Sequence, residues 1–90
     1  MRLDLFLKWS RVIPRRSLAH DTCDAGRVQV NGEAARPART VKVADVVTVV
    51  LPTRELIFRV RAIPARSPSK ADASEMIEIL ENRRREDTGL

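Results

Sequence analysis

Tyrosine is absent from the 90-residue chain, and its aromatic side chains are one Trp and two Phe. The core must therefore be built mainly from Val, Leu, Ile and Ala. The shortage also argues against recognition of single strands by bases stacked on rings, a mode that needs exposed aromatic side chains. The single cysteine, Cys23, can form neither an internal disulfide nor a cysteine metal cluster. No apolar run approaches the roughly 20 residues of a membrane span. Arg2, Asp4 and Lys8 interrupt the apolar N-terminal stretch, so no signal peptide is expected. These absences point to a cytoplasmic protein without a membrane partner.

At this length one compact domain is the default, and a catalytic domain beside a binding module would not fit. No nucleophile, base and orienting group can be assembled into a trio. His20 is a lone imidazole on a helix, without His, Cys or acidic partners at ligand spacing. The reading is of a protein that is not an enzyme, with no catalytic residue, no metal and no cofactor.

Positive charge is plentiful. The 17 Lys and Arg exceed the 12 Asp and Glu by five. Residues 1–61 hold 12 basic and 6 acidic side chains, a net of +6, whereas residues 62–90 carry a net of −1. Fourteen of the 17 basic residues are Arg, whose planar fork suits bidentate contacts with phosphate. Nucleic acid is accordingly the leading class of partner.

The apolar periodicity predicts an α+β fold. Leu3, Phe6 and Leu7 share one helical face, with Leu5 and Trp9 beside them, giving a first helix over residues 3–9. Arg11 to Ile13 makes a turn, and Pro14 suits the first position of a second helix running to about Ala25. The inner face of that helix would be Leu18, Ala19, Thr22 and Cys23, with Gly26 at a left-handed cap. The period then changes to two. Val28 and Val30 alternate with polar residues, Asn31-Gly32 signals a tight hairpin, and Thr40–Val43, Val46–Leu51 and Leu56–Val60 complete about four strands. Residues 64–70 read as a linker. A C-terminal helix is expected over 71–86, with Asp72 and Glu75 as a capping box, an apolar face of Met76, Ile77, Ile79 and Leu80, and Arg83 to Arg85 at its negative end. Residues 87–90 would be a flexible tail.

Arg2, Lys8, Arg11, Arg15 and Arg16 fall within the first two helices and their corner, and Arg27 follows the second helix. The start of the second helix points unpaired N–H groups outward, so Arg15 and Arg16 add full charge to a terminus already suited to phosphate. The alternative is a solvated basic face paired with Asp4, Asp21 and Asp24. Trp9 is expected at the core or its edge. Arg59 and Arg61 either extend the basic surface or solvate an outer strand face.

The segment RLDLFLKWSRVIPRRSLAHDTCDAGRVQVNG, residues 2–32, resembles the RNA-binding domain family named after small-subunit ribosomal protein S-four. The resemblance lies in the order helix, Arg-rich corner, helix, then Gly-Arg-Val-x-Val-Asn-Gly, and it covers residues 1 to about 51 as the core motif of a domain spanning 1–63. The opening Met-Arg-Leu-Asp, the short stand-alone length and the capped C-terminal helix expected over 71–86 are similar to the RqcP-like bacterial ribosome-quality-control factors, with the fifteen-kilodalton heat shock proteins as close relatives. Leu5 and Pro14 depart from the pattern of those relatives.

The resemblance implies an αL-type fold, two helices packed on a small twisted antiparallel sheet, whose helical face docks on folded RNA. For the RqcP-like branch it implies binding to the large ribosomal subunit, contact with large-subunit rRNA and peptidyl-tRNA, and support of alanine tailing by an RqcH/NEMF-type elongation factor. Off the ribosome the protein would be a monomer. By motif position RNA contact falls on Arg2 and Arg16, with Arg15, Arg11 and Lys8 in support. Asp4 would orient a neighbouring arginine or accept from a base or ribose hydroxyl. Arg27 and Asn31 belong to the motif's hairpin, where turn geometry is the better reason for Asn31. The heat-shock branch implies instead ribosome recycling or an rRNA chaperone or assembly role.

Overall fold

A computed structural model of the chain describes residues 1–84. The tail expected at 87–90 and the helix-end charge at Arg85 lie outside the described residues. In chain order the elements are α1 (Leu3–Trp9), α2 (Arg16–Asp24), β1 (Val28–Val30), β2 (Glu33–Ala34), β3 (Val46–Val50), β4 (Arg54–Val60), α3 (Lys70–Ala73) and β5 (Ile77–Arg84). The strands form one sheet in the order β2-β1-β3-β4-β5, and every neighbouring pair is antiparallel.

Period-two burial puts Val28 and Val30 of β1, Val47 and Val49 of β3, and Leu56, Phe58 and Val60 of β4 in the core. Leu3, Phe6 and Leu7 of α1 and Ala19 and Cys23 of α2 belong to the same buried cluster. Phe6 and Phe58 stack with ring centroids 6.2 Å apart, joining helix to sheet in an otherwise aliphatic core. The corner between the helices is pinned by Val12 and Ile13, both buried, so its geometry is set by packing.

Two turn signals fold as the sequence predicts. Gly26 has φ 76° and closes α2 with two capping bonds, from its own N–H to the Cys23 carbonyl and from the Arg27 N–H to that of Thr22. Asn31 and Gly32 have φ of 52° and 84°, the left-handed pair that a two-residue hairpin requires. The Asn31 side chain also ties β1 to β3: its Oδ1 accepts from the Val46 N–H at 2.9 Å, and its Nδ2 donates to Asp45 at 3.1 Å.

Six expectations are corrected. The helix expected over 71–86 is a single turn, α3, followed by the eight-residue strand β5. Ile77, Glu78 and Ile79 fit a period of two as well as a helical face. The free edge of β4 decides between them, because pairing from Arg54↔Arg84 to Val60↔Ile77 satisfies backbone groups that a helix would leave open. The cap is also displaced: Ser69, not Asp72, accepts a first-turn N–H, that of Asp72, at 3.2 Å. A register shift at Ile57/Phe58 leaves Leu80 as the extra residue of a bulge, and the sheet has five strands.

Thr40–Val43 is not a strand. Thr40 makes one isolated bridge to Arg2, and Val41 donates to the Met1 carbonyl at 2.8 Å, so this segment serves the N-terminus. Pro14 stands in the turn, and α2 begins two residues later with an extended Arg15 as its N-cap. Leu18, expected on the inner face of α2, is 48% exposed.

Candidate nucleic-acid interface

The first turn of α1 has no side-chain cap from Arg2, yet its N–H groups are satisfied. Leu3 donates to the Arg39 carbonyl at 2.8 Å, Asp4 to that of Pro37 at 3.1 Å, and Leu5 to Oδ1 of Asp4 at 2.7 Å. The loop around residues 37–39 thus closes this helix end. The start of α2 is different. Arg16, Ser17 and Leu18 are exposed, and among the described residues their N–H groups have no protein acceptor, so this end is open to an anion.

Asp4 organises the surface between the two helix starts. It is buried, 2% exposed, and its carboxylate faces two half-exposed arginines. Nε and Nη2 of Arg2 donate to its two oxygens, each at 3.2 Å, a bidentate fork. Nη2 of Arg16 lies 3.6 Å from Oδ1. The carboxylate sits beneath the guanidiniums and restricts their rotamers while leaving other N–H donors toward solvent. Of the two sequence alternatives for Asp4, its geometry is that of a group orienting arginines.

The structure brings Arg2, Asp4 and Arg16 together and places Arg15 beside them as the α2 N-cap. Lys8 and Arg11 lie toward the other end of α1, exposed and without ion pairs among the described residues. Arg27 is not part of this cluster. It follows the far end of α2, whose span from Arg16 to Asp24 is about 12 Å at 1.5 Å per residue. There it lines a mostly apolar groove with Leu18, Val50 and Pro52.

Arg39 was not anticipated. Its carbonyl caps α1, and Thr40 beside it bridges to Arg2, so the structure places a further exposed arginine next to the corner. Only the basic content of residues 36–42 hinted at it, because the pairing spans nearly forty residues of chain. Arg59 pairs with Glu78 at 2.9 Å across the outer face of the sheet, where both side chains are half-exposed. His20 Nδ1 stands 3.5 Å from Asp24, away from the corner. Among the described residues no group of three or more His, Cys, Asp or Glu is placed to hold a metal. None of their helices is long and apolar enough to cross a membrane.

Trp9 is partly buried against the core. Cys23 is a buried core thiol, and its pKa is pushed from 9.0 up to about 11, first by burial and then by the Asp4 and Asp24 carboxylates.

An arginine corner carried by two short helices on a small antiparallel sheet defines an RNA-binding module of the S4 class. The S4 domain model matches residues 1–47, and the chain belongs to that family. Within it, the chain groups with the RQC P-site tRNA stabilizing factors. It is 39% identical to that factor of Streptococcus pneumoniae, covering 97% of this chain and 98% of the relative. It is also 39% identical to the factor of Bacillus subtilis, over 89% and 92% of the two chains. Among solved structures, the heat shock protein 15 of Vibrio cholerae, solved as a trimer, superposes with a TM-score of 0.81 at 25% identity, covering 88% of this chain and 80% of that one.

Proposed function

We propose that the chain is a non-catalytic, cytoplasmic RNA-binding factor of ribosome-associated quality control, monomeric off the ribosome. It grips the large ribosomal subunit with Arg2 and Arg16, held by Asp4, and with Arg15, Arg11 and Lys8 in support; Arg27 marks the far edge of the footprint. On the subunit it contacts large-subunit rRNA and peptidyl-tRNA, and it stabilises the tRNA while an RqcH/NEMF-type factor adds the C-terminal alanine tail. The observation that carries this reading is the buried Asp4 carboxylate holding two guanidiniums side by side. One carboxylate beneath two guanidiniums fixes their direction and leaves their remaining N–H donors toward solvent, the arrangement that bidentate contact with phosphate uses. Relatives named for stabilizing P-site tRNA support the ribosomal setting.

The test is cosedimentation of Arg16→Ala with large subunits. Loss of most of the bound protein, with an unchanged thermal midpoint, is expected. Unchanged cosedimentation would refute the assignment of the grip. A second reading, recycling or chaperoning of rRNA, is favoured by the likeness to heat shock protein 15. Pull-down of the native protein separates the two: peptidyl-tRNA on free large subunits supports quality control, and vacant or immature subunits support the chaperone.

A further inference from the structure

A groove of about 290 Å³ opens at the C-terminal end of α1, lined by Lys8, Trp9, Arg11, Pro14, Ser67 and Pro68. It unites three parts of the chain: the last turn of α1, the interhelical turn and the loop before α3. Its size is at the lower bound for a small-ligand site, roughly 300 Å³, which suits one ring system better than a folded segment.

The lining has an unusual chemistry for so basic a protein. Trp9 packs partly against the core, so the indole is anchored while it still borders the groove. Pro14 and Pro68 add apolar wall without flexible side chains. Lys8 and Arg11 supply two cations, no acidic residue lines the groove, and neither cation has an ion pair among the described residues. Arg11 holds φ 65°, a left-handed conformation that costs a non-glycine residue roughly 1 kcal/mol or more. Buried Ser10, Val12 and Ile13 on either side hold it there, and its side chain stays exposed. A ring wall beside two unneutralised cations is complementary to a base with its attached phosphate. A lone phosphate would make no use of the indole and prolines.

We propose that this groove is a subsite for one unstacked nucleotide of the bound RNA, with its base against Trp9 and its phosphate between Lys8 and Arg11. The inference rests on the corner being an RNA grip, and Pro14 in the groove wall directly precedes Arg15 and Arg16 in the chain. It adds one stacking contact to a recognition mode otherwise made of shape and phosphate.

Trp9 is the only tryptophan and the chain has no tyrosine, so intrinsic fluorescence reports on this groove alone. Two short RNA duplexes, identical except for one bulged adenosine, are titrated into the full-length protein. The bulged duplex is expected to quench Trp9 strongly and to bind about fivefold or more tighter than the plain one, the lower range of a single base–aromatic stack. In Trp9→Leu, followed by anisotropy of labelled RNA, that preference disappears while plain-duplex binding stays. Equal quenching and equal affinity for the two duplexes on the unmodified protein overturn the subsite, with no variant needed. Quenching by hexaglutamate but not by the bulged duplex overturns it in favour of an acidic peptide. Binding of neither RNA refutes the corner itself, a different failure from binding both alike.

Discussion

Replacing Asp4 by Asn isolates the role of the buried carboxylate, because shape is kept and charge is removed. Two effects oppose each other. Asp4 restrains Arg2 through two bonds of 3.2 Å and Arg16 across 3.6 Å. Restraining one such side chain in advance is worth roughly 0.5–1.5 kcal/mol to binding, so losing both costs about 1–3 kcal/mol. Asparagine also turns an amide donor toward one of the guanidiniums. Against this, removal of a negative charge behind the arginines favours an incoming phosphate. At about 7 Å, twice the usual ion-pair distance, that gain is roughly 0.5–2 kcal/mol between the water and near-surface limits. Salt reduces it further, and does not reduce the entropic loss.

Orientation therefore wins near physiological ionic strength. Asp4→Asn is expected to bind structured RNA about fivefold more weakly, a deficit of about 1 kcal/mol. The deficit should widen as salt is raised and narrow at low salt, where charge counts for more. Stability should fall by roughly 1–3 kcal/mol, since the buried amide NH2 then faces guanidinium donors without an acceptor, so binding is measured well below the thermal midpoint. The assay is fluorescence anisotropy with a labelled rRNA hairpin at two salt concentrations, with the thermal midpoint as control. Equal or tighter binding by Asp4→Asn near physiological salt would refute the orienting role and leave Asp4 as mere charge neutralisation.

Cys23 should resist alkylation. With its pKa near 11 instead of 9.0, about one thiol in a thousand is ionised at pH 8 instead of about one in ten. Iodoacetamide should react at least about a hundredfold more slowly with native than with urea-unfolded protein, and similar rates would contradict the buried placement. The same shift predicts a pH dependence. The raised folded value means the contribution is complete below pH 9.0 and is lost as pH rises through about 11, because the unfolded chain releases the proton first. Cys23→Ala should flatten that part of the alkaline stability curve. Asn31→Ala loses the bonds to Val46 and Asp45 and places a Cβ-bearing residue without a compensating side chain at φ 52°. About 1–2 kcal/mol of stability should go, lowering the melting temperature by roughly 4–16 °C with RNA affinity unaffected. An unchanged melting temperature would remove Asn31 from the account of the hairpin.

Local pattern was enough wherever one stretch of chain decides its own conformation. Leu3, Phe6 and Leu7 define the inner face of α1 by spacing alone. Gly26 ends α2, and Asn31-Gly32 turns the hairpin, because few residues tolerate positive φ. The arginine-rich corner and its likeness to S4 domains were legible for the same reason, since corner and hairpin are contiguous in residues 2–32. The aliphatic core followed from composition.

Tertiary structure decided what depends on distant neighbours. Residues 77–84 fit either period, and only the open edge of β4 makes them a strand. Thr40 and Val41 look like a strand, yet they lie along the N-terminus, where their segment caps α1 and places Arg39 beside Arg2. Separation along α2 removes Arg27 from the corner that sequence proximity suggested. By itself the sequence determined that an arginine-rich corner joins the first two helices of an S4 domain. Only packing decided that Asp4 lies buried between Arg2 and Arg16, because a carboxylate can hold two guanidiniums fourteen residues apart only after the helices have brought them to one spot.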